Sequence, residues 1–241
     1  MLPTFRLGVL TPSSNTALEP LISALAAELP GCSAHFSRFK VTEIGLAPNA
    51  LAQFDERKIL AAAELLADAQ VDVIGWSGTS SGWLGFDADR RLVERIREHT
   101  GIVATTAVLS LNELLALRGI ERLALVTPYS ADVQQRIVDN YRTLGIDVVA
   151  ERHLDITVNH DFALVAPDRL HALVREVAAA RPQAIATFCT NLRAAQLASA
   201  VESELDIALL DTVSTTVWGQ LRAAGGDPAQ VRGWGRLFQW R

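Results

Sequence analysis

Strand-like and helix-like stretches alternate along this chain from end to end, and that alternation limits its architecture more than any single motif does. RLGVLTP (6–12) reads as a strand and TALEPLISALAAEL (16–29) as a helix. SAHFSRFKV (33–41) has the period of a strand, whereas LAQFDERKILAAAELLADAQ (51–70) has helical spacing and strong helix formers. VDVIGWS (71–77) is a nearly continuous apolar run, as strands are when a parallel sheet is covered on both faces. DADRRLVERIREHT (87–100) is helical, and GIVATT (101–106) closes a first half. The second half repeats the pattern, with helices over 108–119, 131–145, 166–182 and 191–205 and strands over 121–130, 146–152 and 184–190. IALLDT and the helix TVSTTVWGQLRAAGG follow. Such alternation predicts an α/β fold built on parallel sheets flanked by helices.

A duplication lies inside the alternation. GVLTPSSN (8–15) matches LALVTPYS (123–130), both strands ending in Thr-Pro and then small polar residues. DVIGWSGTSS (72–81) matches QAIATFCTNL (183–192), so Thr11 pairs with Thr127 and Thr79 with Thr190. Two motifs in the same order predict two pseudo-symmetric, Rossmann-like halves with the active site in the cleft between them. Ligands in such sheets sit at the carboxyl ends of the strands, where all four motifs lie.

Composition removes several classes of function. With 241 residues, 49% hydrophobic and 20% charged, the chain reads as globular rather than disordered. A net charge of −5 without a basic stripe argues against nucleic acid as a partner. No apolar run approaches the roughly 20 residues of a membrane helix, so no membrane partner is expected either. Among 22 basic residues only Lys40 and Lys58 are lysines, which leaves Schiff-base chemistry almost no candidates. Cys32 and Cys189 cannot build a disulfide framework or a zinc site on their own. No metal and no cofactor are expected. The opening MLPTFRLGVL runs into a strand-like stretch without a signal-peptide pattern, and a cytoplasmic location is the expectation.

The strand ends carry the candidate chemistry. TPSSNT (11–16) precedes a predicted helix, whose free N–H groups and partial positive charge would favour an anion. Ser, Asn and Thr are also the usual capping residues, so an N-cap is the competing reading. In GTSSG (78–82) the glycines would let the backbone turn sharply and approach a ligand, with Thr79 and Ser80 as donors to a carboxylate. Ser81 as a hydrolase nucleophile is disfavoured, because none of His153, His160 and His171 sits at a strand end that completes a triad. Cys189 ends a buried strand and precedes a predicted helix whose amides would stabilise a thiolate. Cys32, in a loop before an alternating strand, has no such setting. Tyr129 in TPYSAD offers a hydroxyl to a carboxylate or enolate oxygen, whereas Tyr141 falls mid-helix and packs. Asn159 and His160 belong to a loop placed to cover the cleft, with His160 read as solvated.

Together VLTPSSNT, GTSS, VTPYSAD and FCTNLR resemble the aspartate/glutamate racemase superfamily over nearly the whole chain, and within it the maleate cis–trans isomerases and arylmalonate decarboxylase. The resemblance implies that the C-terminal helix returns to the first half, giving 1–106 with 212–241 as one half and 107–211 as the other. Most members place a cysteine on each face of the substrate. Cys189 matches the second, and Gly78 stands where the first belongs. Maleate isomerases are similar at Asn15, Tyr129, Asn159 and Cys189 but use that first cysteine as nucleophile; Ser77, one residue earlier, would point away. The decarboxylase branch has glycine there, then Thr-Ser as in Gly78-Thr79-Ser80, and ends in a similar way to GWGRLF (233–238). Its chemistry needs one cysteine. One carboxylate would be held by Thr79, Ser80, Tyr129 and the N–H groups around Cys189 and Thr190. The other would leave as carbon dioxide from among apolar walls such as Leu46, Trp76 and Trp83. Pro12-Ser13-Ser14-Asn15 and CTNLR are isomerase-like departures, which imply a smaller or more polar diacid.

The expectation is therefore a cofactor-independent decarboxylase of a substituted malonate, acting through an enediolate that Cys189 protonates. Pro12, Ser13, Asn15, Gly78, Thr79, Ser80, Tyr129, Ser130, Asn159, Thr190 and Asn191 are the candidate substrate-binding residues. The alternatives are a maleate cis–trans or racemase-like isomerase of a small diacid, and a non-catalytic carboxylate-binding protein. The partner is a small mono- or dicarboxylate, and a homo-oligomer is compatible with the sequence.

Overall fold

A computed structural model describes residues 5–240. The first half runs β1 (Phe5–Pro12), α1 (Leu18–Ala27), β2 (Cys32–Phe39), α2 (Pro48–Leu51), α3 (Glu56–Asp68), β3 (Val73–Trp76), α4 (Ser81–Leu84), α5 (Asp87–Thr100) and β4 (Ala104–Thr106). After α6 (Ala107–Leu117) come β5 (Arg122–Thr127), α7 (Ala131–Thr143), β6 (Asp147–His153), α8 (Pro167–Ala178), β7 (Ala184–Thr187), α9 (Ala198–Leu205), β8 (Ala208–Asp211) and α10 (Thr212–Ala223). The strands form two four-stranded parallel sheets of like order, β2-β1-β3-β4 and β6-β5-β7-β8. Every residue of β3 and of β7 is buried, which accounts for their unbroken apolar pattern.

The ladders make the duplication quantitative. Leu7 pairs with Val73 in one sheet and Leu123 with Ala184 in the other. Superposing Thr11 on Thr127 therefore sets Trp76 on Thr187, Gly78 on Cys189 and Thr79 on Thr190. On the neighbouring strand, Trp76 pairs with Thr106 and Thr187 with Asp211. Each of those partners caps the helix that follows. Thr106 accepts the N–H of Leu109 at 3.0 Å, and Asp211 accepts those of Val213 at 2.8 Å and Ser214 at 3.4 Å.

These two capped helices pack on each other, Gly219 of α10 lying against Ser110 of α6. Although α6 was expected with the second half, it packs on α10 and β4, and α10 also covers α1, β1 and β3. The chain beyond α10 then returns to β8 and α9. There the Glu202 carboxylate accepts the N–H groups of Leu209 at 3.0 Å and Arg236 at 2.8 Å.

Two expected helices are shorter than their periodicity suggests. The run over 51–70 breaks at Asp55, whose ψ of 119° is non-helical and whose side chain caps α3 by accepting the Arg57 N–H. The helix expected over 191–205 begins as α9 only at Ala198, after a short 3-10 turn. Among the described residues no helix is long and apolar enough to cross a membrane.

Candidate active site

Cys189 stands at the carboxyl end of β7 and is 3% exposed. Burial pushes its thiol up to about 12; the Tyr129 hydroxyl and the Asn191 N–H, which donates to Sγ at 3.4 Å, pull the other way. The helix expected to begin beside it starts nine residues later, so no helix N-terminus favours a thiolate. At neutral pH this cysteine is a thiol. Cys32, half-buried at the start of β2, is likewise pushed up to about 11, by burial and then by Asp72.

Facing Cys189 from the same half is Tyr129, buried under Trp83 and Phe162 with ring centroids 5.2 and 5.6 Å away. Its hydroxyl shares a 2.6 Å hydrogen bond with Thr79 of the first half. Burial, followed by the Cys189 neighbour, holds the phenol well above its usual range, so it is a neutral donor. Thr190 donates to the Ser77 carbonyl at 3.0 Å and accepts from Asn15 Nδ2 at 3.3 Å. The Thr79 and Thr190 hydroxyls, the Tyr129 phenol and the Cys189 thiol thus meet at the ends of β3, β5 and β7. The Thr79–Tyr129 pair keeps one proton free to donate, while that of Thr190 is committed to the Ser77 carbonyl.

An amide belt ties the halves together around this group. Asn15 Oδ1 accepts the N–H groups of Ala17 at 3.0 Å and Leu18 at 2.9 Å. Asn191 Oδ1, from the opposite half, accepts those of Thr16 at 3.0 Å and Ala17 at 3.2 Å. The amides at the start of α1 are therefore engaged by protein oxygens, and the anion site expected there is instead a shared cap. Asn191 Nδ2 donates to the Asn159 carbonyl at 2.5 Å, and Asn159 Nδ2 donates to Ser14 Oγ at 2.7 Å. Ser14, one of the TPSSNT donors but not among the candidate substrate-binding residues, passes the chain of bonds to the Val41 carbonyl at 2.6 Å. Above the belt, residues 42–44 clasp the loop at 157–159, through the Ile44 N–H on the Thr157 carbonyl at 2.9 Å and that of Asn159 on Thr42 at 3.0 Å.

The remaining candidates divide. Pro12 ends β1 against Phe39, and Ser13 bonds its N–H to the Phe39 carbonyl at 2.8 Å and its hydroxyl to Val41, beside the belt. Ser80 is buried and opens α4, bordering a cavity with Trp76 and Ile59. Ser130 turns its hydroxyl to Asp132 at 2.5 Å and joins none of these groups. His160 is exposed beside Asp161. Ser77 does point away from the cleft, sharing a 3.1 Å bond with Thr216 of α10.

Gly78 and Gly82 are glycines for a different reason from the one expected. Neither has a positive φ, so no sharp turn requires them. A Cβ on Gly78 would run into the Trp76 indole at Cζ2, Cε2 and Cη2. One on Gly82 would lie 2.5 Å from Cε1 of Phe188. Both glycines make room for an aromatic ring, and that need became visible only with the rings in place. Among the described residues no group of three or more His, Cys, Asp or Glu side chains is placed to hold a metal ion.

Comparison with known proteins shows the family and the fold. The arylmalonate decarboxylase family pattern matches residues 21–238. The Bordetella bronchiseptica arylmalonate decarboxylase is 31% identical over 69% of this chain and 70% of its own length. A maleate isomerase of Nocardia farcinica is 24% identical over 97% of this chain and 95% of its own. Among solved structures, a maleate isomerase of Pseudomonas putida S16 crystallised with maleate superposes with a TM-score of 0.89 at 26% identity, covering 99% of this chain and 98% of that one. A crystal structure of arylmalonate decarboxylase gives a TM-score of 0.79 at 25% identity, covering 97% and 99%.

Proposed function

The chain belongs to the arylmalonate decarboxylase family, which embraces maleate isomerases among its relatives, and on that premise we propose that it decarboxylates a substituted malonate without a cofactor. One observation carries the choice: the cleft offers a single thiol, protonated at neutral pH, and the position opposite it is a glycine covered by an indole. A protonated thiol suits a general acid, whereas a nucleophile needs the thiolate.

In this reading the Thr79–Tyr129 pair gives its free proton to the carboxylate that stays, with the backbone N–H of Thr190 beside it, while the Thr190 hydroxyl holds the Ser77 carbonyl. The other carboxylate lies against apolar side chains, where it is poorly solvated. Its bond to the α-carbon breaks, carbon dioxide leaves, and the electron pair passes into the retained carboxylate as an enediolate. Donors already fixed by packing stabilise that charge as it develops. The Cys189 thiol then transfers its proton to the α-carbon, and solvent reprotonates the thiolate. The amide belt of Asn15, Asn159 and Asn191 holds the two halves at the spacing these contacts need.

Maleate isomerisation is the second reading, supported by the number of maleate isomerases among the relatives and by Asn15, Tyr129 and Asn159. The test is proton NMR of phenylmalonate and maleate together in deuterated buffer, with wild type and Cys189→Ala in parallel. The expected result is phenylacetate carrying one α-deuterium, lost in the variant. Fumarate in place of phenylacetate would overturn the decarboxylase reading in favour of the isomerase, and tight diacid binding without either product would favour a carboxylate-binding protein.

A further inference from the structure

Gly78 is the register counterpart of Cys189, and the volume its side chain would need is filled from two residues upstream. Trp76 is 1% exposed, and its ring centroid lies 5.0 Å from that of Phe39. Its six-membered ring edge covers Gly78. On the other half the same position is Thr187, whose hydroxyl turns to Asp211 at 2.7 Å, and a side chain, that of Cys189, stands two residues on. The indole therefore occupies the space that a side chain at the register counterpart of Cys189 would need.

We propose that Trp76 is a specificity-determining residue whose indole, seated on Gly78, closes the substrate face opposite Cys189 to a second acid and to water. The purpose assigned to that face rests on the decarboxylase reading; the steric closure does not. An enediolate is planar at its α-carbon, so a proton from either face completes the reaction, and each face gives one enantiomer. Cys189 serves one face. The indole offers the other only ring carbons and an N–H far too weakly acidic to protonate carbon. Behind Trp76 lies a cavity of about 260 Å³ bounded by Phe54, Ile59, Ser80 and Leu92. A smaller side chain at 76 would join that cavity to the Gly78 face and bring water to it.

The test has two arms. In the first, Trp76→Leu and Trp76→Phe are assayed with 2-methyl-2-phenylmalonate, and the enantiomeric excess of the product is read by chiral chromatography. Wild type is expected to give one enantiomer, Trp76→Leu a product approaching the racemate, and Trp76→Phe a value between. An unchanged enantiomeric excess in Trp76→Leu would overturn the proposal.

The second arm needs no activity. In a Cys32→Ser background, Gly78→Cys is made with and without Trp76→Leu, and melting temperature and native thiol reactivity toward a disulfide reagent are measured. Alone, Gly78→Cys is expected to lower the melting temperature and present an unreactive thiol. Adding Trp76→Leu should recover part of that loss and speed the thiol reaction by about tenfold or more, since exposure governs the rate. Equal melting temperatures and rates for the two would also overturn it. If this arm succeeds while wild type turns over no substituted malonate, the decarboxylase reading fails and the closure by Trp76 stands.

Discussion

The ends of β3 and β7 are built on one plan and present opposite surfaces to the cleft. Both strands sit third in the order of their sheets, each is followed two residues on by a cleft-facing position, and each has a threonine directly after it. In β7 the upstream residue is Thr187, held by Asp211, and the cleft receives a thiol. In β3 it is Trp76, whose indole lies on a glycine. The neighbouring strands keep the same logic, with Thr106 and Asp211 capping α6 and α10. Thr106 donates its hydroxyl to the buried Asp89 of α5 at 2.5 Å. A duplicated backbone thus keeps its strand-end caps while the side chains two positions upstream, Trp76 and Thr187, differ in volume.

The largest expected effect comes from removing the proposed acid. Cys189→Ala should reduce turnover by about 10²–10⁴-fold, the range for loss of a positioned proton donor, with little change in substrate affinity. The state of the thiol sharpens this. Because burial raises it to about 12, kcat should stay flat across the neutral and mildly alkaline range. A rate that climbs tenfold per pH unit there would mean that a scarce thiolate is the active form, and would move the chemistry toward nucleophilic isomerisation.

Next in size is the support under Cys189. Thr187→Val keeps the volume but leaves the buried Asp211 carboxyl without its side-chain donor, a loss of about 1–3 kcal/mol. Denaturant unfolding should show it, and a change below a few tenths of that would mean that the strand and cap alone hold Asp211. The corresponding pH effect has a definite sign. Burial raises the Asp211 carboxyl to about 7 and that of Asp89 to about 6. Each therefore contributes stability that is full below the ordinary carboxylate range and is lost as pH rises through those values, by up to about 1.4 kcal/mol per pH unit per group. Asp211→Asn should flatten the decline of stability between roughly pH 4 and 7 relative to wild type. An unchanged slope would place the titrating group elsewhere.

Much of this arrangement could be read before any coordinates, and the parts that could not share a cause. Alternation and the two Thr-Pro strand ends were enough for the paired sheets, because strand period and buried-strand runs are local properties. Cys189, Tyr129 and Thr79 were legible because each follows a strand directly. The belt was not, since Asn191 caps α1 from the opposite half across a separation of 175 residues. The same contact explains the misread helix: a run without proline or glycine reads as helical from 191, yet the Asn191 side chain is drawn across the cleft to Thr16. Asp55 is a simpler miss, an N-cap aspartate hidden within a good helical period. Gly78 is the most instructive. Its lack of a side chain was plain in the sequence, but the Trp76 ring that requires it could be seen only in three dimensions.

The smallest expected effect tests whether the β3 end holds a hidden acid after all. Ser77 is fully buried next to Gly78, and its register counterpart is Phe188. Its hydroxyl meets Thr216 at 3.1 Å, on the α10 side of the sheet, while its carbonyl accepts from Thr190 at 3.0 Å. Ser77→Ala removes only the first of these. Thr216 keeps its bond to the Thr212 carbonyl at 2.8 Å, so no hydroxyl is left without a partner. The cost should be about 1 kcal/mol, or roughly 2–4 °C in melting temperature for a chain of this size, with turnover unchanged. A tenfold fall in turnover at intact stability would mean that the Ser77 hydroxyl reaches the substrate. The two strand ends would then both supply a proton donor, and volume at position 76 would no longer be what separates them.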